Sequence, residues 1–117
     1  MNSPSVKTIS SAELHRESQQ RAVDLVDVRT VEEFNEIRAV GARNVPLDRL
    51  DPAALIKAHQ DPAQPIYFIC AVGGRSAWAC ELMKAMGYEN VVNVEGGTQE
   101  WHAAGLPTER GASSTSF

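Results

Sequence analysis

The sequence predicts an α/β fold built on a parallel sheet. Short apolar segments alternate along the chain with stretches of helical pattern, the order that βαβ units produce. The segment Ile66-Tyr67-Phe68-Ile69-Cys70 is apolar without alternation, as expected for a central strand covered on both faces. Helix-opening and helix-closing residues stand at the ends of the intervening stretches.

Each element has its own local cause. Val6 to Ile9 reads as a short strand. Ser10-Ser11-Ala12-Glu13 is a capping box, in which Ser10 serves the amide of Glu13 and Glu13 reaches back. Val23 to Val28 is a β-branched strand candidate, and Thr30-Val31-Glu32-Glu33 is a second capping box opening a helix to about Ile37. Arg43 to Val45 is a short strand stopped by Pro46. Asp51 is an N-cap followed by Pro52 at the first helical position, opening a helix to about His59. After the strand of Ile66 to Cys70, a helix is expected from about Arg75 to Met86, with Gly87 as its left-handed cap. That helix is apolar over most of its circumference, interrupted by Glu81 and Lys84, and is expected to be largely buried, with Trp78 and Trp101 in the core or the wall of a pocket. Val91 to Val94 forms the last strand. A helix from about Thr98 to Ala104 ends at Gly105, and Pro107 prevents its continuation. The crossovers between parallel strands should be right-handed.

The 117 residues fit one domain, expected over 8–109, with 1–7 and 110–117 as flexible tails. Hydrophobic residues make up 43% and charged residues 22%, ordinary for a globular chain and unlike a disordered one. Eleven Lys and Arg against fifteen Asp and Glu leave a net charge of -4, which argues against a nucleic-acid partner, since that needs a basic face. Before position 110 the longest gap between charges runs only from Asp61 to Arg75, too short for the roughly 20 apolar residues of a membrane helix, so no membrane partner is expected. The opening Met1-Asn2-Ser3-Pro4-Ser5 lacks the basic and apolar regions of a secretion signal, and a cytoplasmic location is the expectation. Two cysteines without a CxxC pair, and three scattered histidines (His15, His59, His102) in surface-like contexts, suggest neither a disulfide framework nor a metal site.

The strongest local signal is Cys70-Ala71-Val72-Gly73-Gly74-Arg75-Ser76, between a buried strand and a helix start. Ligand sites of open parallel sheets gather outside the carboxyl ends of the strands. Gly73 and Gly74 let successive amides of the loop point into one concavity, and the helix adds unpaired amides and the positive end of its dipole. A thiol there, with Arg75 beside it, should be partly ionised at neutral pH. The competing reading makes Cys70 a buried apolar strand residue and the glycines a plain turn. Cys80, inside the apolar helix, reads as packing. The loop matches neither the Gly-x-x-x-x-Gly-Lys nor the Gly-x-Gly-x-x-Gly phosphate-binding pattern.

Cys-x-x-x-x-Arg-Ser after a strand resembles the active-site loop of the rhodanese domain, the thiosulfate sulfurtransferase superfamily. Three further segments are similar to that family in order: Asp27-Val28-Arg29 with Glu33-Phe34, then Gly41-Ala42-Arg43-Asn44-Val45-Pro46, then Glu95-Gly96-Gly97 with Trp101 and Gly105-Leu106-Pro107. The resemblance implies a five-stranded parallel sheet flanked by helices, with the cysteine loop at its carboxyl edge. It implies that Cys70 is the catalytic nucleophile, that Ala71, Val72, Gly73, Gly74, Arg75, Ser76 and Arg29 bind the donor, and that Asp27 supports the loop. It further implies a small anionic sulfur donor such as thiosulfate or a persulfide, a thiol or protein acceptor, a Cys70 persulfide between them, and no metal or organic cofactor. Arg29 is either a donor-binding cation or one half of a structural ion pair, and Arg75 is either a site cation or a clamp on Asp27.

Four residues separate Cys70 from Arg75, whereas the dual-specificity phosphatases that resemble this fold carry five, so the loop favours sulfur transfer over a phosphatase or arsenate-reductase-like chemistry; the alternative to an enzyme is a non-catalytic module that carries a persulfide or binds a partner. The chain departs from the family at Ile37-Arg38-Ala39-Val40, where Gly-His-Ile-Pro is frequent, and at Ala71 and Val72, where thiosulfate-active members carry basic or hydrogen-bonding side chains. With apolar side chains there, thiosulfate is expected to be a weak donor.

Overall fold

The computed structural model describes residues 6–111. The chain runs β1 (Lys7–Ile9), α1 (Ser11–Gln20), β2 (Asp24–Asp27), α2 (Val31–Glu36), β3 (Arg38–Ala39), β4 (Arg43–Asn44), a 3-10 turn (Leu47–Arg49), α3 (Pro52–Ala58), β5 (Ile66–Ile69), α4 (Gly74–Ala85), β6 (Val91–Val94), α5 (Gly97–Ala103) and β7 (Thr108–Glu109). Strands β1, β6, β5, β2 and β4 form, in that order, a five-stranded sheet whose neighbours are all parallel. Every strand therefore presents its carboxyl end at one edge.

The local signals act as the sequence implies. Both capping boxes close reciprocally, Ser10 with Glu13 and Thr30 with Glu33, and Asp51 caps α3 with Pro52 in its first turn. The central strand β5 is buried along its whole length and its side chains divide between two cores. Ile66, Phe68 and the following Cys70 pack with Leu55 of α3 and Ala79, Cys80 and Met83 of α4. Tyr67 and Ile69 point the other way, to Leu14 of α1 and Trp101 of α5. Period-two alternation thus persists, but both faces are covered, which is why the segment carries no polar residue.

Three features differ from the sequence expectations. Helix α4 buries only one face, through Ser76, Ala79, Cys80 and Met83; its opposite face carries Trp78, 57% exposed, so that residue lies in neither core. His59 is not solvated. Its side chain is 4% exposed, Nδ1 lies 2.8 Å from Asp24 Oδ2 and Nε2 lies 2.7 Å from the Gln64 carbonyl, bridging β2 and the approach to β5. The stretch after α2 forms β3, which pairs antiparallel with β7, Arg38 opposite Glu109 and Ala39 opposite Thr108. Arg38 fixes this ribbon: its guanidinium lies 4.6 Å over the Phe34 ring and donates to the carbonyls of Phe34 and Gly111.

Of the expected tails, residues 1–5 and 112–117 lie outside the described residues. Lys7 belongs to β1, the Arg110 guanidinium donates to the Glu36 carbonyl, and the Gly111 amide donates to the Asn35 carbonyl. Among the described residues no helix is long and apolar enough to cross a membrane.

Candidate active site

Cys70 leaves the carboxyl end of β5, and the chain turns at once into α4. The turn requires Gly73, whose φ of 113° is closed to ordinary side chains. This backbone aims the Gly73 amide at Cys70 Sγ, at 3.0 Å, and brings Ser76 Oγ, from the first turn of α4, to 3.2 Å from the same sulfur. Cys70 is 1% exposed, so only a small or pointed reagent reaches it. That burial opposes ionisation, but it is outweighed by the hydrogen bond from the Ser76 hydroxyl and those from the amides of Ser76, Gly73 and Val72, which hold the thiol below its ordinary value of 9.0. Cys80, fully buried without such donors, is pushed up by that burial to about 12 and is inert as a nucleophile.

A layer behind the loop fixes it. The amides of Thr98 and Gln99, at the start of α5, donate to the carbonyls of Cys70 and Ala71 at 2.7 and 3.1 Å. Gly97 makes this approach possible: a Cβ there would stand 2.4 Å from the Cys70 carbonyl oxygen and 2.5 Å from that of Ala71. With the loop carbonyls drawn outward, its amides face inward. Asn93 of β6, 7% exposed, accepts from Ser76 Oγ at 2.5 Å and donates from Nδ2 to the Gly73 carbonyl at 3.3 Å. Its amide orientation follows from that carbonyl, which can only accept.

The expected site residues therefore divide. Cys70, Ala71, Val72, Gly73, Gly74, Arg75 and Ser76 form one loop and helix start, with Ala71 half-buried and Val72 61% exposed. Arg29 takes the structural alternative. It is 4% exposed and its guanidinium clasps the fully buried Asp27 through Nε at 3.0 Å and Nη2 at 2.9 Å, with a further bond to the Ile37 carbonyl. The Asp27 carboxylate also accepts from the Arg29 amide, and Asn44 Nδ2 donates to the carbonyls of both residues, so the pair shapes the turn after β2. Arg75 does not clamp Asp27. Its two terminal nitrogens reach Glu33 of α2, at 2.8 and 2.9 Å. These hydrogen bonds, chiefly, raise the Arg75 pKa against desolvation, and the Cys70 thiolate adds to the effect.

Three contributors escaped the sequence reading. Glu33 shows there as a capping residue and within the family-like Glu33-Phe34 segment, not as the partner of Arg75, because that contact spans 42 positions. Gly97 shows only as part of a glycine pair. Asn93 did leave a signal, as the lone polar residue of Val91-Val92-Asn93-Val94.

A thiol in an amide-lined loop, at the carboxyl edge of an open parallel sheet, defines a cysteine-loop α/β protein. The rhodanese-like domain family model matches residues 10–104, and the chain belongs to that family. It is 37% identical over 101 residues to an uncharacterised protein of Synechocystis sp., covering 86% of this chain and 55% of that one. It is 31% identical over 91 residues to the thiosulfate sulfurtransferase GlpE of Vibrio cholerae, covering 78% and 83% respectively. Among solved structures, a rhodanese-related protein from Thermoplasma volcanium superposes with a TM-score of 0.72 at 32% identity, covering 88% of this chain and 97% of that one. The chain spans about half the length or less of several curated relatives that it matches.

Proposed function

We propose that the protein is a sulfurtransferase that carries a sulfane sulfur on Cys70. The observation that carries this reading is the convergence of the Gly73 amide and the Ser76 hydroxyl on Sγ, with amides of Val72 and Ser76 adding to the same field. The Cys70 thiolate attacks the outer sulfur of the donor. A new S–S bond forms, the donor's S–S bond breaks, and its electron pair leaves with a thiolate or, from thiosulfate, with sulfite. The enzyme persulfide is again an anion in the same cradle of donors, placed before the reaction begins. A thiolate or cyanide then attacks the outer sulfur and returns the Cys70 thiolate.

Mass spectrometry tests this directly. After exposure to glutathione persulfide or thiosulfate, the intact protein should gain the mass of one sulfur, on the peptide bearing Cys70, and lose it on addition of cyanide. Cys70→Ser should abolish the gain and Cys80→Ser should keep it. A protein that acquires no sulfur from either donor, or a Cys70→Ser variant that turns over like the parent, removes the assignment. The four-residue loop separates this chemistry from phosphoryl transfer, and hydrolysis of p-nitrophenyl phosphate should be negligible. Efficient hydrolysis lost in Cys70→Ser would reassign the site.

A further inference from the structure

We infer that Glu33 sets the donor class of this site by holding the charge of Arg75 in a closed ion pair, so that the loop takes sulfur from a persulfide in preference to the thiosulfate dianion. The inference rests on the sulfur-transfer reading above and adds to it a specificity-determining residue outside the loop.

Arg75 is the only charged side chain between Cys70 and Ser76. Both its terminal nitrogens lie on the two Glu33 oxygens, a bidentate fork in which the guanidinium charge is matched. The carboxylate is itself held from behind: Glu33 Oε1 accepts from the Thr30 amide at 3.0 Å and the Thr30 hydroxyl at 3.2 Å, while the Glu33 amide donates to Thr30 Oγ1. The capping box that starts α2 thus also fixes the partner of the loop cation. Arg29, just past the end of β2, is matched by Asp27. Ala71 and Val72 add no polar side chain, so the loop's one cation and Arg29 are each bound to a carboxylate.

Persulfide and thiosulfate make different demands on such a loop. A persulfide delivers its outer sulfur and releases a thiolate with one charge. Thiosulfate brings two charges and releases sulfite, also doubly charged, and the loop amides with the Ser76 hydroxyl must hold both. A free guanidinium would favour the dianion; a matched one does so far less.

Glu33→Gln separates the charge from the cap, because glutamine also serves at the third position of a capping box. Steady-state kinetics with thiosulfate and with glutathione persulfide, at one ionic strength, give the ratio of the two kcat/KM values. In Glu33→Gln this ratio should rise about three- to tenfold in favour of thiosulfate, through KM rather than kcat, the pair being part-exposed and screened. In Glu33→Gln/Arg75→Gln, where a neutral pair replaces a matched one, the ratio should return to within about twofold of the parent, since no net charge has been added. Sulfate, as a non-reacting probe, should bind Cys70→Ser/Glu33→Gln more tightly than Cys70→Ser in calorimetry, with the gain lost at high salt. An unchanged or lower ratio in Glu33→Gln overturns the inference, as does a double variant with thiosulfate selectively impaired, which would mean that Arg75 already grips the anion. Should Glu33→Gln alone fail to fold, the double variant, which leaves no unpaired guanidinium, decides. A parent protein that acquires no sulfur from either donor removes the underlying reading instead.

Discussion

At the scale of single residues, burial decides which charges are structural. Asp27 and Arg29 are withdrawn from water together, so Arg29→Met would leave a buried carboxylate without its counter-ion. Such breaks cost about 3–5 kcal/mol, far more than the loss of an exposed pair. Urea unfolding should show that loss, and Asp27→Leu/Arg29→Met should recover part of it; a loss under 1 kcal/mol for Arg29→Met alone, on the order of a surface pair, would make the ion pair incidental. Ser76 has one hydroxyl hydrogen and three acceptors within reach: Cys70 Sγ, the Gly73 carbonyl and Asn93 Oδ1. Asn93→Val removes one competitor, so the thiolate absorbance of Cys70 should titrate at lower pH than in the parent. No movement, or movement upward, would show that Asn93 serves the sulfur by fixing Ser76 rather than by sharing its hydrogen. In the parent, kcat/KM for a donor of constant charge should rise with pH as the thiolate forms, with its midpoint below pH 9.0, the ordinary thiol value.

At the scale of elements, the sequence was readable wherever the cause was local. Ser10, Thr30 and Asp51 start their helices through contacts three residues away, and the apolar run of β5 states its own burial. Helix α4 differs from its expectation because composition alone does not tell an apolar face that meets the sheet from one that meets water: Met83 lies in the buried cluster with Phe68, and Trp78 faces outward. Strands β3 and β7 are two residues each and lie some seventy positions apart, so neither has a pattern without the other. The role of α5 was hidden for the same reason, since Gly97 matters through the carbonyls it touches. Gly97→Ala should push the cysteine loop outward against backbone it cannot displace cheaply. Persulfide formation, followed by mass spectrometry after mixing with donor, should slow by about tenfold or more, because displacements near 1 Å cost that much in positioned chemistry. A Gly97→Ala protein that loads at the parental rate would show that α5 does not set the loop.

At the scale of the whole molecule, acid should be the weak condition. Burial pushes the Asp24 carboxyl up, but hydrogen bonds from Arg43 and His59 outweigh it and leave the group below its ordinary 3.8. Hydrogen bonds from Arg75, opposed by desolvation and aided by Thr30, take Glu33 from 4.5 to about 2. Groups with depressed values stabilise the fold fully above their unfolded values and lose that contribution as pH falls toward their folded ones. Thermal unfolding should therefore be nearly level between about pH 5 and 7 and fall steadily from about pH 4 toward pH 2. Asp24→Asn should flatten part of that fall, and an unaltered acid limb would mean that other carboxylates govern it.

The way α5 grips the cysteine loop has one more consequence. The carbonyls of Cys70 and Ala71 are tied by amides of α5, whereas the Gly73 amide has the sulfur as its acceptor. The two sets of N–H groups should therefore exchange with deuterated solvent under different control. Thr98 and Gln99 should keep their protons until α5 itself opens, whatever Cys70 carries. Gly73 should exchange at a rate that changes when the sulfur is alkylated, oxidised or loaded, giving an isotopic readout of what the thiol holds in a protein that is otherwise unchanged.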